Sequence, residues 1–222
     1  MTWRDGLSSE IDFWNQYFAT KGSQWPQEYL MRLDPHLPLQ DYITELIDVP
    51  DGKQVNILDV GAGPLTRLGK HWPGRQVNIT AVDPLAEEYD RILKKYNIEP
   101  PIRTVKASAE ALHKLFPPNY FDLVYARNCI DHCFNAKLAI REMLRVAKPN
   151  CYVFMEHRPN EGETQGYHGL HQWNFFMKDG DFYIGNIHKT TNISKELAGL
   201  AQIECSFNKN NWLITKLRKE DR

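Results

Sequence analysis

Ile57-Leu58-Asp59-Val60-Gly61-Ala62-Gly63-Pro64-Leu65 decides the fold. An apolar, partly β-branched run with an acidic residue near its end reads as a strand and passes into two glycines. The apolar spacing over 65–70 then predicts a helix directly afterwards. Glycines at such a turn let another group approach the backbone closely, and a helix opening there adds exposed N–H donors. A bare G-x-G occurs in many settings. Its place after a strand and before a helix gives it weight.

Working outward, Ala81-Val82-Asp83 ends the next strand. A carboxylate there suits both hydroxyls of a ribose, as in nucleotide-binding α/β sheets, or caps the helix that follows with Pro84 in its first turn; the two roles are compatible. Strands are predicted over 55–60, 77–82, 102–106, 121–126 and 151–156, with helical stretches over 65–70, 85–96, 109–115 and 136–146 between them. That alternation gives a doubly wound, mostly parallel sheet with helices on both faces. The C-terminal runs 202–207 and 212–217, joined by Asn208-Lys209-Asn210-Asn211, read as an antiparallel hairpin. Residues 1–50 stand apart as an N-terminal helical segment, with an amphipathic helix over 9–18 and an aromatic, proline-rich stretch over 25–38. Residues 51–222 form the core, and 158–192 are a long glycine-containing insertion with a hairpin turn at Asp179-Gly180. Connections of that length are usually binding elements or lids.

Composition narrows the function. The 222 residues carry 27 Lys and Arg against 28 Asp and Glu. Such a balance argues against a nucleic-acid partner, which needs a concentrated basic face. The mixed cluster over 216–222 reads as a solvated tail. No apolar run approaches the ~20 residues of a membrane span, and Met1-Thr2-Trp3-Arg4-Asp5 opens no secretory signal. Four scattered cysteines suit a reducing, cytoplasmic setting. Cys129-Ile130-Asp131-His132-Cys133 lacks the second ligand pair of a zinc site, so no metal is expected.

A nicotinamide cofactor would ask for a third glycine where Thr66 stands. The order Leu58-Asp59-Val60-Gly61-Ala62-Gly63, Val82-Asp83, Phe121-Asp122-Leu123-Val124-Tyr125 and Leu144-Arg145-Val146-Ala147-Lys148-Pro149 resembles instead the class I S-adenosylmethionine-dependent methyltransferases, over roughly residues 50–222. The resemblance implies a seven-stranded sheet ending in an antiparallel hairpin, with S-adenosylmethionine across the carboxyl ends of the first strands. It places Asp59 near the methionine amino group, Gly61 and Gly63 around the methionine and ribose, and Asp83 on the ribose hydroxyls. Ser108 and Ala109 would meet the adenine, and the backbone of Arg127 and Asn128 the methionine end. Two positions depart from the family: Leu65 replaces its third glycine, and Ser108 its adenine-binding carboxylate. The segment holding Trp14, Trp25 and Arg32 looks like the lid of small-molecule methyltransferases. Arg32 would either meet the cofactor carboxylate or pack along its stem.

The acceptor side follows the fourth strand. Methyl transfer is an in-line displacement that rewards alignment, and an alcohol acceptor also benefits from a base. His132, beside Asp131, reads equally as that base or as a structural histidine; its place near a rigid strand favours it over His171. His157, His168 and Gln172, on or beside the insertion, are candidate substrate contacts, while Trp173, Phe175 and Phe176 read as core. Trp14, Trp25, Asp131-His132 and Gly169-Leu170-His171-Gln172-Trp173 look similar to bacterial methyltransferases of surface-glycan and capsule pathways. That likeness implies O-methylation of a small acceptor: a sugar, sugar nucleotide or phosphoramidate. A secondary-metabolite N- or O-methyltransferase, or a cofactor-binding module without chemistry, are the alternatives. The oligomeric state is left open.

Overall fold

A computed structural model describes residues 3–221, with side chains from residue 6 onward. Met1 and Thr2, part of the opening that shows no signal, lie outside the described residues. The helices are α1 (Trp3–Ala19), α2 (Pro26–Leu33), α3 (Asp41–Thr44), α4 (Ala86–Lys95), α5 (Ala136–Val146), α6 (Glu161–Thr164) and α7 (Ile193–Glu196). The strands are β1 (Gln54–Val60), β2 (Gln76–Asp83), β3 (Val105–Lys106), β4 (Phe121–Arg127), β5 (Ala147–His157), β6 (Asn174–Lys178), β7 (Asp181–Gly185), β8 (Thr190–Asn192), β9 (Ala201–Phe207) and β10 (Leu213–Lys219).

Seven strands form the main sheet, in the order β3-β2-β1-β4-β5-β10-β9. The first five are parallel, and β10 runs antiparallel to both β5 and β9. This is the doubly wound sheet with a terminal hairpin that the sequence predicts. Continuous apolar runs such as Leu123–Ala126 bury both faces of a central strand, as a parallel sheet requires. One face packs on α5 through Ile140, Met143 and Leu144, and on the insertion through Trp173 and Phe175. The other carries Leu39, Ile43, Leu46 and Ile47 from the N-terminal segment. A third cluster joins Trp14, Tyr17, Phe18 and Tyr29 to Leu65, Leu85 and Tyr89.

Several expectations are corrected. Residues 65–70 form no helix. Leu65 and Leu68 are both buried, but in different clusters, so no single helical stripe serves them. The backbone of this stretch bonds instead to the N-terminal segment: Leu39 N–H donates to His71 O at 2.7 Å, and Lys70 N–H donates to Leu37 O at 2.7 Å. Gln40 spans the same gap, donating to Arg67 O at 3.0 Å and accepting from Gly69 N–H at 3.1 Å. The strand over 102–106 shrinks to Val105–Lys106 after Pro100-Pro101. Residues 109–114 form a 3₁₀ helix broken at Ala111. The solvated tail is β10 as far as Lys219, whose ammonium donates to the carbonyls of Arg145 and Ala147 and to Asn119 Oδ1. The insertion holds α6 and a separate antiparallel sheet, β6-β7-β8, with Asp179 and Gly180 at positive φ in the expected turn. Among the described residues no helix is long and apolar enough to cross a membrane.

Gly69 marks the tightest point of this packing. A Cβ there would lie 1.9 Å from the Pro38 carbonyl oxygen. Gly69→Ala should therefore destabilise the fold by roughly 1–3 kcal/mol through overpacking, seen as a lower urea midpoint. An unchanged midpoint would show that the two segments separate at no cost.

Candidate active site

A cavity of about 550 Å³ opens at the carboxyl ends of β1, β2 and β4, within the size range of small-molecule sites. The turn after β1 forms its floor. Gly61 and Gly63 have φ of +66° and +65°, a backbone that favours glycine. Protein neighbours also require them. A Cβ on Gly61 would sit 2.5 Å from Cys129 Sγ, and one on Gly63 would sit 2.6 Å from Trp14 Cζ2. Both glycines line the cavity.

Asp83 lines it too, accepting from Leu85 N–H at 2.9 Å and Gly63 N–H at 3.2 Å. These bonds close a turn ahead of α4, whose N-cap is Leu85 without a side-chain cap bond. Asp83 therefore does not cap the helix and Pro84 lies outside it, contrary to the capping role read from the sequence. Burial pushes its carboxyl up to about 7, so the charged form lacks compensation in this state. Asp59 turns away from the cavity. It accepts the Thr66 hydroxyl at 2.5 Å, and Thr66 Oγ1 in turn accepts Leu68 N–H at 3.1 Å. Burial pushes Asp59 up to about 6, with the Thr66 bond opposing the rise.

At the adenine position expected from the resemblance, Ser108 and Ala109 line the cavity together with Glu110. Ser108 Oγ donates to the Glu110 carboxylate. A carboxylate thus stands two residues beyond the position where the sequence offered none, and only the turn of the 3₁₀ helix brings it in. Arg32 lines the cavity, but its guanidinium is engaged by Glu28, at 2.7 Å from Nη2, and by the Leu65 carbonyl. Asn128 adopts φ of +47°, and its Oδ1 accepts Arg158 N–H at 3.0 Å.

The other end of the cavity carries a cluster that no local spacing reveals. Asp131 is fully buried, and its Oδ2 accepts from His171 Nδ1 at 2.7 Å. His132 Nε2 lies 3.5 Å from the same oxygen and 3.3 Å from His171 Nδ1. His132 and His171 both line the cavity. The two histidines that compete for one role in the sequence therefore share one carboxylate. Burial opposes charge on all sides here. Even so, His132 and His171 hold Asp131 below the usual carboxylate range, and the Asp131 bond raises His171 above its ordinary value. Glu161, which the sequence reading did not select, lines the same end, with a buried Oε2 lacking a partner.

The three predicted substrate contacts do not meet in the main cavity. His157 is buried and stacks on Phe175, with ring centroids 4.1 Å apart; burial pushes it down to about 4. His168 is exposed beside the Gln165 carbonyl. The side-chain amide of Gln172 donates to Gly169 O at 2.8 Å, and the residue lines a separate cavity of about 240 Å³, whose wall also includes His132. Trp173 and Phe175 lie in the core as expected, whereas Phe176 is only half-buried and stacks on Tyr183 of the small sheet.

Residues 58–155 match the profile of a family described as "Methyltransferase domain". The chain is a methyltransferase. The methyltransferase fold is similar to that of a candidate S-adenosyl-L-methionine-dependent methyltransferase from Methanococcus maripaludis, with TM-score 0.57, 14% identity and coverage of 96% of this chain and 94% of that one. A chain in the complex between the Haloferax volcanii Trm112 methyltransferase activator and a candidate methyltransferase gives TM-score 0.58, 10% identity and coverage of 96% and 97%. A Haemonchus contortus phosphoethanolamine N-methyltransferase gives TM-score 0.57 and 15% identity, covering all of this chain and 61% of the other. At these identities the likeness concerns the fold. A search of curated proteins found no match.

The methyltransferase turn after β1 thus depends on the Asp59–Thr66 bond. Thr66→Val should leave the buried carboxyl short of a donor and cost roughly 1–3 kcal/mol. Because that bond lowers the Asp59 pKa, its loss should move the Asp59 carboxyl titration upward from about 6, read by carbon NMR. A titration that stays in place would mean the hydroxyl does not hold the carboxyl.

Proposed function

We propose that this methyltransferase O-methylates a small polar acceptor, with acceptor activation at Asp131, His171 and His132. The observation that carries this reading is the 2.7 Å bond from His171 to a fully buried carboxylate at one end of the cavity. The residues present also fit the donor. Its ribose suits the two oxygens of Asp83, its adenine suits Ser108, Ala109 and Glu110, and its methionine end suits Gly61, Gly63 and the backbone of Arg127 and Asn128. Asp59 would act behind this turn, by fixing it through Thr66. Arg32 would orient the turn through the Leu65 carbonyl more than it would meet a ligand. When bound, S-adenosylmethionine supplies a methyl group on a positively charged sulfur.

The protein's part is alignment and proton removal. A carboxylate can only accept, so Asp131 keeps the His171 proton on Nδ1 and leaves Nε2 as the basic atom, the orientation a general base needs. His132, although nearer a rigid strand, turns Nε2 toward this pair and supports it. The N-terminal helices, over the cavity through Trp14 and Trp25, serve as the lid. The likeness to surface-glycan and capsule methyltransferases suggests a sugar, sugar nucleotide or phosphoramidate as acceptor, in a cytoplasmic setting.

A second reading rests on the same three donor atoms, which all lie within 4.8 Å of one another. Two imidazoles and one carboxylate at that spacing suit a divalent transition-metal ion, which would acidify an acceptor hydroxyl in place of a base. The sequence expectation of no metal could not weigh this, because His171 arrives from the insertion.

Two experiments follow. Asp83 must be ionised to accept ribose hydroxyls, yet its carboxyl stands at about 7 in this state. Affinity for S-adenosylhomocysteine should therefore fall as pH drops below that value, approaching about tenfold per unit. Asp83→Asn should bind more weakly by roughly 1–3 kcal/mol and lose this pH dependence in calorimetry. In turnover, His171→Ala should lower kcat by roughly 10²–10⁴-fold with S-adenosylhomocysteine affinity kept, and His132→Ala should cost less. Collapse only in His132→Ala would move the base there. Loss of activity with a chelator, restored by manganese, would favour the metal. Binding without any S-adenosylhomocysteine formed across an acceptor panel would leave a cofactor-binding module.

A further inference from the structure

Arg127 ends β4, Arg158 directly follows β5, and Trp212 directly precedes the antiparallel β10. Because β5 lies between β4 and β10, all three meet at one end of the sheet. The two guanidinium carbons lie 4.2 and 5.6 Å from the centre of the same indole ring. Each is attracted to the ring face, but two like charges gathered there repel each other.

Carboxylates offset this only in part, with Glu28 acting on Arg127 electrostatically. The nearest to Arg127 is Glu156, 3.8 Å from Nε, and its Oε2 already accepts the Tyr125 hydroxyl at 2.5 Å. Arg127 Nη1 is buried without a hydrogen-bond partner, a costly state for a charged donor. Arg158, Arg127 and Trp212 all line the cavity that holds His171.

We infer that Arg127 and Arg158, backed by Trp212, form a subsite for a phosphoryl-type oxyanion on the acceptor. Paired guanidinium forks match such a group in geometry as well as charge. The cofactor also has an oxyanion, its methionine carboxylate, but position favours the acceptor. Arg127 ends β4 beside β1, but Arg158 follows β5 and Trp212 precedes β10, two and three strands from β1, roughly 10 and 14 Å at ordinary strand spacing. The ring and the second guanidinium thus draw the subsite away from the cofactor turn. The inference rests on the methyltransferase reading only in naming this the acceptor end.

The test needs no turnover, so it is independent of which group acts as base. Inorganic phosphate is titrated into protein saturated with S-adenosylhomocysteine and followed by phosphorus NMR. Saturable binding should appear, weakened at least tenfold in Arg127→Gln and in Arg158→Gln, while affinity for S-adenosylhomocysteine stays within twofold in Arg158→Gln. The exposed Arg158 gives a variant whose folding is not at stake, and thermal melts check the other. Absent or non-saturable phosphate binding, or binding indifferent to both substitutions, would overturn the inference. So would a tenfold loss of S-adenosylhomocysteine affinity with phosphate binding intact, which would assign the pair to the cofactor.

Discussion

The structure depends on how the chain satisfies its backbone after the glycine turn. A helix would close its own hydrogen bonds. Here residues 69–71 reach across to 37–39, and Gln40 fills what remains. The sheet face beside β1 is then covered partly by residues 39–47 from the N-terminal segment. That segment is thereby tied to the same turn that floors the cavity. Trp14 can rest on Gly63, and Arg32 can reach the Leu65 carbonyl, because this connection has no helix to stand in their way.

Legibility followed the range of the forces involved. The strands announced themselves through continuous apolar runs, and the hairpins through Asp179-Gly180 and the asparagine-rich 208–211 turn, since these are local patterns. Residues 65–70 misled because Leu65 and Leu68 keep helical spacing while serving two different clusters. The short β3 has a related cause. Thr104 donates to Gly63 O at 2.7 Å, a tertiary bond that period and propensity do not encode.

The candidate site divides in the same way. Gly61, Gly63 and Asp83 could be chosen from their place at strand ends. The meeting of His132 and His171 on Asp131 could not, because one of its members comes from a distant insertion. His157 and Asp59 show the converse: chemistry-bearing residues near the right strands whose side chains are turned into packing. Glu110 and Glu161 carry no signal in the sequence, because each gains its place from a local turn of the backbone.

The insertion fastens itself to the core at its base. His157 stacks on Phe175, Asn160 N–H donates to Phe175 O at 3.1 Å, and Gly162 N–H donates to Trp173 O at 3.2 Å. His171 itself is held by the core, through Asp131 Oδ2 and the Gln172 N–H bond to Asp131 O at 3.0 Å, while the small sheet extends away to the Asp179-Gly180 turn. Nothing lies within 4 Å of where a Gly180 Cβ would be. The distal tip is consequently a permissive attachment point, where added chain, a dye or a surface tether could be grafted without disturbing the geometry at the root.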